Sequence, residues 1–189
     1  MNIGSLLSRH AQYQPDKPAL VFEENRLTYK EYNQNVNRLA NALLDMGIQK
    51  GDKISTLLPN CMEILEVYWA AAKIGAVAVP HSMLLLAEGL KSLLNDSDTT
   101  MVVTHSSMVE TLDLIRKDLP AMPEDRVLLI DNSDTPGYRD YHGLKAKAND
   151  TDPQNIEISE NDICNIMYSS GTTGHPKGIV ISHKIRAAY

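Results

Sequence analysis

The chain is poor in cysteine: Cys61 and Cys164 stand far apart, neither with a second Cys or a His at metal-ligand spacing. That arrangement offers no metal-binding pair and reads as two buried, reduced thiols. Long apolar runs are missing too. The N-terminus carries Arg9 and no apolar core of a signal peptide, and no run reaches membrane-spanning length, so a cytoplasmic protein without a transmembrane segment is the expectation. Basic clusters are also lacking, and a formal charge of -6 argues against a nucleic-acid or anionic-membrane partner. No internal repeat is visible.

What is present fits one soluble unit. With 189 residues, 43% of them hydrophobic and 22% charged, the chain is long and apolar enough to bury a sizeable core.

In chain order, a short helical pattern from about Gly4 to Gln14 is ended by Pro15, and Ala19 to Phe22 with Arg26-Leu27-Thr28 reads as a hairpin about the turn Glu23-Glu24-Asn25. Thr28-Tyr29-Lys30-Glu31 is a capping box that stabilises the next helix by about 1 kcal/mol. That helix sets Tyr32, Val36, Leu39, Ala40, Leu43 and Leu44 on one face, places Asn33, Asn35, Asn37 and Asn41 mostly on the other, and stops at Gly47.

Strands and helices then alternate. Strands are expected over Lys53 to Leu58, Ala76 to Val79, Thr100 to Thr104 and Arg126 to Ile130. The helices between them are a segment capped at Asn60-Cys61-Met62-Glu63 that runs to Ile74, Ala87 to Leu94, and Ser106 to Lys117. This order predicts an α/β fold, a mostly parallel doubly wound sheet with helices on both faces. A dinucleotide-binding version loses its support because no G-x-G-x-x-G occurs. From Asp131 to Asn161 the composition turns to Asp, Asn, Ser, Thr, Pro, Gly and Lys with little periodicity, and residues 131–161 read as a surface connection within one domain.

The stretch richest in chemistry is Tyr168-Ser169-Ser170-Gly171-Thr172-Thr173-Gly174-His175-Pro176-Lys177-Gly178, set between the apolar runs Ile163 to Met167 and Ile179 to Ile181. Its glycines allow positive φ and bring backbone N–H groups against an anion, while four hydroxyls and the Lys177 ammonium supply further donors. Each hydrogen bond to a charged group contributes roughly 1.5–3 kcal/mol, enough for three or four to hold a di- or triphosphate. The Gly171-to-Lys177 spacing matches a Walker A loop, but Pro176 and Gly178 replace its second Gly and its Ser or Thr, and β-branched residues follow where a helix would begin. Neither Ser169 nor Ser170 lies in a G-x-S-x-G nucleophile elbow. His175 and His183 flank the loop without the further ligands zinc needs, and His175 is expected to face solvent.

The string resembles the signature phosphate loop of the adenylate-forming superfamily, with Ser169 where Thr is commoner. Leu27-Thr28-Tyr29-Lys30-Glu31-Tyr32 is similar to that family's first core motif, and Lys73-Ile74-Gly75-Ala76-Val77-Ala78-Val79-Pro80 to its second, except that His81-Ser82 replaces the usual Asn-Pro or Asp-Pro pair. The resemblance implies a partial N-terminal (AMP-binding) domain over residues 1–189 of an acyl-CoA synthetase-like acid–thiol ligase. Such an enzyme takes a carboxylic acid, most simply a fatty acid, with ATP and Mg²⁺ to an acyl-adenylate, and passes the acyl group to CoA. It also implies that Ser169 lies on the metal, that Thr172, Thr173 and Lys177 contact the β,γ-phosphates, and that Ser170, Gly171, Gly174 and Gly178 complete the nucleotide-binding loop, with Lys177 the catalytic charge. This chain alone is expected not to catalyse adenylation. Other readings stay open: the adenylation domain of a peptide synthetase or aryl-CoA ligase, a non-catalytic nucleotide-binding module, and a chain that self-associates to cover sheet surface.

Overall fold

The computed structural model describes residues 2–131, 134–169 and 176–188. Its element boundaries follow the sequence punctuation closely. Helix α1 (Gly4–Tyr13) is followed by the hairpin β1 (Pro18–Phe22) and β2 (Asn25–Thr28), whose turn puts Glu23 at φ 53°. The capping box forms as expected: Glu31 N–H donates to Thr28 Oγ1 at 3.2 Å, and Thr28 N–H to Glu31 Oε2 at 2.9 Å. It opens α2 (Tyr29–Asp45).

The sheet is built from β3 (Lys53–Leu57), β4 (Val77–Pro80), β5 (Thr99–Thr104), β6 (Val127–Leu129), β7 (Arg139–Asp140), β8 (Ile163–Ser169) and β9 (Lys177–Ser182). Their order across the sheet is β7-β6-β5-β3-β4-β8-β9. Every neighbouring pair from β7 to β8 is parallel, and β9 closes the edge antiparallel to β8. The mostly parallel sheet read from the sequence is therefore the one observed.

Because side chains alternate along a strand, β5 feeds both faces. Met101 and Val103 join Ile54, Ala78, Leu39, Leu43 and Val67 beneath α2 and α3 (Met62–Ile74), while Val102 joins Leu90, Leu94, Leu112 and Ile115 beneath α4 (Ala87–Asp96) and α5 (Val109–Ile115). Helices thus cover both faces, which is why the strands read as nearly continuous apolar runs. Gly75 ends α3 at φ 72°, a left-handed conformation that favours glycine.

The structure differs from the sequence reading in several places. Asn60 does not cap α3; the cap position is Cys61, which makes no side-chain capping bond and is only half-buried. The segment read as a helix from Ser106 to Lys117 is α5 flanked by 3₁₀ turns, the first capped by the His105 ring accepting from Ser107 N–H. Asn33 and Asn37 are buried on α2 instead of facing water. The segment 131–161 contains β7 and α6 (Tyr141–Lys147), and Tyr141 is wholly buried.

Two polar clusters explain the last two differences. The Glu66 carboxylate accepts from Tyr141 Oη and Lys145 Nζ, both at 2.6 Å, so α6 is bolted onto α3. Beyond α6 the backbone runs along α2 as a strap: Arg38, Asn37 and Asn41 donate to the carbonyls of Ala148, Asp150 and Asn149 at 2.8–2.9 Å. Lys73 Nζ, buried near the end of α3, donates to Asn33 Oδ1 at 2.8 Å and also to Ser8 and Asp152.

Candidate functional site

The parallel strands point their carboxyl ends to one edge of the sheet, where α/β folds collect ligands. At that edge β8 and β9 form a hairpin whose ladder pairs Met167 with Ile179, Tyr168 with Gly178 and, last, Ser169 with Lys177. The Ser169 hydroxyl-bearing residue and the Lys177 ammonium-bearing residue therefore flank the mouth of the loop from opposite strands, both exposed. Of the loop residues singled out from the sequence, Ser170, Gly171, Thr172, Thr173 and Gly174, with His175, lie outside the described residues.

The neck below this mouth is packed. A Cβ on Gly178 would lie 3.2 Å from Ile166 Cγ2 and 3.3 Å from Tyr168 Cε1, so the missing side chain lets the Tyr168 ring lie across the hairpin. Tyr168 Oη donates to Asp96 Oδ2 at 2.6 Å, at the end of α4. Burial, aided by Asp96, pushes its phenol pKa up, so it remains a donor at physiological pH.

The Tyr168 ring also packs against His81, which directly follows β4. Their rings stack with centroids 5.5 Å apart at 26°. His81 is buried and its pKa is pushed down to about 4 by that burial, leaving the imidazole neutral. Its Nε2 lies 3.1 Å from Ser55 Oγ, which in turn lies 2.7 Å from Thr99 Oγ1. Sequence reasoning missed His81, Asp96 and Ser55. The one available signal was the replacement after Pro80, which puts an aromatic polar ring beside the loop.

Lys73, in the second motif, is not at this edge; burial lowers its pKa and Asp152 opposes that shift, a structural ion pair joining α1, α2, α3 and the strap. His183 is fully buried and its Nδ1 accepts from Ile3 N–H at 3.3 Å. Among the described residues no group of three or more His, Cys, Asp or Glu side chains is placed to hold a metal ion, and no helix is long and apolar enough to cross a membrane.

The family model described as AMP-binding enzyme matches residues 7–188. The chain belongs to the AMP-binding enzyme family. Among AMP-binding relatives, it is similar to the long-chain-fatty-acid–CoA ligase FadD13 of Mycobacterium tuberculosis, 36% identical over 187 residues, covering 97% of this chain and 35% of that ligase. It is also similar to the crotonobetaine/carnitine–CoA ligase of Salmonella typhimurium, 33% identical over 175 residues, covering 89% of this chain and 34% of that protein. Its fold superposes on the anthranilate CoA ligase AuaEII, solved in complex with anthranoyl-AMP, with a TM-score of 0.90 and 27% identity over 97% of this chain and 35% of that one. The chain thus spans about a third of the length of the AMP-binding relatives it matches, corresponding to their N-terminal part.

Proposed function

We propose that this chain supplies the phosphate-gripping hairpin of an AMP-forming acid–thiol ligase. The observation that carries the reading is the cross-strand pair of Ser169 and Lys177 at the mouth of a hairpin on the carboxyl edge of the sheet. In this reading a carboxylate attacks the α-phosphate of ATP, pyrophosphate leaves, and a thiol, CoA, displaces AMP from the acyl-adenylate. The acid is a fatty acid, supported by the 36% identity to a long-chain-fatty-acid–CoA ligase.

The chemistry fits the residues. A carboxylate is a poor electrophile, so the site must hold the departing pyrophosphate in line and stabilise its charge. Lys177 does so as a point charge, with the backbone N–H groups of Gly171, Gly174 and Gly178 and the hydroxyls of Ser170, Thr172 and Thr173 as further donors. Ser169 presents a hard oxygen. Mg²⁺ takes most of its ligands from water and phosphate oxygens, so one protein hydroxyl suits it, and when bound it neutralises phosphate charge.

The hairpin is one part of such a site, and we infer that the 189-residue chain does not turn over alone. Carboxylate-dependent ATP–pyrophosphate exchange tests this, with fatty, aryl and amino acids as substrates. No exchange above background is expected. Robust exchange abolished by Lys177→Ala would overturn the inference while upholding the site.

Self-association belongs to the same reading. Met167 and Ile179 oppose each other on β8 and β9 at 40% and 53% exposure, and Leu84 and Leu86, in the turn before α4, are 91% and 83% exposed. Such apolar surface around one edge favours covering by a second copy.

A further inference from the structure

Behind the hairpin neck lies a chain of buried hydroxyls. Ser55, Thr99 and Ser97 are each at most 3% exposed, with Ser55 Oγ 2.7 Å from Thr99 Oγ1 and Thr99 Oγ1 2.8 Å from Ser97 Oγ. Ser97 Oγ ends the chain by donating to the carbonyls of Leu93 at 2.9 Å and Leu94 at 3.2 Å on α4.

A carbonyl only accepts, and each hydroxyl has one proton to give. If Ser97 gives its proton to α4, Thr99 gives to Ser97 and Ser55 gives to Thr99. Ser55 Oγ is then left to accept, and the only group placed to donate among the described residues is His81 Nε2, 3.1 Å away. The hydroxyl chain thereby fixes the tautomer: the proton is on Nε2 and the lone pair on Nδ1. Nδ1 is buried without a hydrogen-bond partner among the described residues.

We propose that His81 is a positioning residue for the phosphate hairpin: the Ser97–Thr99–Ser55 chain locks its ring as the Nε2–H tautomer, and the locked ring fixes Tyr168 and, through it, the opposed Ser169 and Lys177. The ring is held at its Nε2 end by the sheet interior, and its face lies against Tyr168. Tyr168 is held at its far end by Asp96 and has Gly178 across the ladder. The next pair along that ladder is Ser169 with Lys177, so rotation of the His81 ring displaces the mouth directly. Both ends of the relay rest on α4, Ser97 at its C-terminal cap and Asp96 as its last residue, making α4 and the hairpin one rigid unit. Two aromatic rings in offset contact hold each other's orientation better than an aliphatic side chain of similar size would. That this unit serves a nucleotide rests on the function proposed above; the lock itself does not.

The test uses ¹⁵N-labelled protein without ligand. Long-range ¹H–¹⁵N correlation of the imidazole should show a pyridine-type resonance for Nδ1 and a pyrrole-type resonance for Nε2 of His81, and Ser55→Ala should release that preference. His81→Leu should shift the backbone amide resonances of Ser169, Lys177 and Gly178 and the ring resonances of Tyr168, and His81→Phe, which keeps a ring, should restore most of the hairpin shifts. A merely structural His81 would lower thermal stability in the Leu variant while leaving the hairpin resonances in place, and that result overturns the proposal, as does the opposite tautomer in the parent protein. Inorganic pyrophosphate added to each variant separates the two ideas. If the parent hairpin resonances respond and the His81→Leu response weakens, both stand; if no resonance of the parent hairpin responds, the nucleotide reading fails while the tautomer and ring shifts still decide the lock.

Discussion

Ser169 and Lys177 are the last opposed pair of the β8–β9 ladder, one residue above the pair in which Gly178 leaves room for the Tyr168 ring. An exposed hydroxyl and an exposed ammonium therefore sit on a neck that is ring-packed on one side and held to α4 by a 2.6 Å hydrogen bond. The polar mouth thus sits directly above apolar and aromatic contacts, the arrangement by which the proposed phosphate site would be pre-organised.

Acid should weaken the fold in a defined window. The His81 imidazole has its pKa pushed down from 6.5 to about 4 by burial, so the unfolded chain binds a proton that the folded chain refuses. Stability is full above pH 6.5 and falls by as much as about 3 kcal/mol as pH drops toward 4. His183, also pushed down by burial, adds to the loss in the same direction. Urea denaturation between pH 7 and 4 should show this decline, shallower in His81→Phe. A pH profile unchanged by that substitution would contradict the burial of a neutral ring.

The bolt between α3 and α6 offers a second test. Glu66 is 2% exposed and accepts from both Tyr141 and Lys145, so Glu66→Ala leaves a buried hydroxyl and a mostly buried ammonium without their acceptor. Truncating one partner of a buried charge pair costs about 3–5 kcal/mol. Chemical denaturation should show a loss of this order, and a loss below about 1 kcal/mol, the worth of an exposed pair, would contradict it.

These two groups mark where the sequence was legible and where it was not. The capping box at Thr28, the alternation of strand and helix, the glycine stop at Gly47 and the loop flanked by apolar runs were readable, because each is a local signal of spacing or backbone freedom. The burial of Asn33, Asn37 and Tyr141 was not, because it depends on partners more than 35 residues away in sequence: Lys73, Asp150 and Glu66. At the candidate site, the motif singled out Ser169, Lys177 and Gly178, which the structure places at the end of the β8–β9 ladder. His81, Ser55 and Asp96 were not, since only the parallel pairing of β4 with β8 brings His81 beside Tyr168.

The exposed apolar residues at the carboxyl edge predict concentration-dependent self-association. Sedimentation velocity should show species larger than a 21.0 kDa monomer as concentration rises, and the double substitution Leu84→Ser with Ile179→Ser should shift the balance toward monomer. A monomer at all concentrations would contradict self-association.

Titration of the ¹⁵N-labelled chain with ATP·Mg²⁺, followed by amide resonances, asks whether the mouth of the β8–β9 hairpin holds phosphate. A phosphate-holding mouth gives shifts concentrated at Ser169, Lys177 and Gly178, with affinity lost by at least about tenfold in Lys177→Ala, the worth of one charge-assisted hydrogen bond. Shifts confined to other parts of the molecule, or a hairpin response of equal affinity in Lys177→Ala, would contradict it.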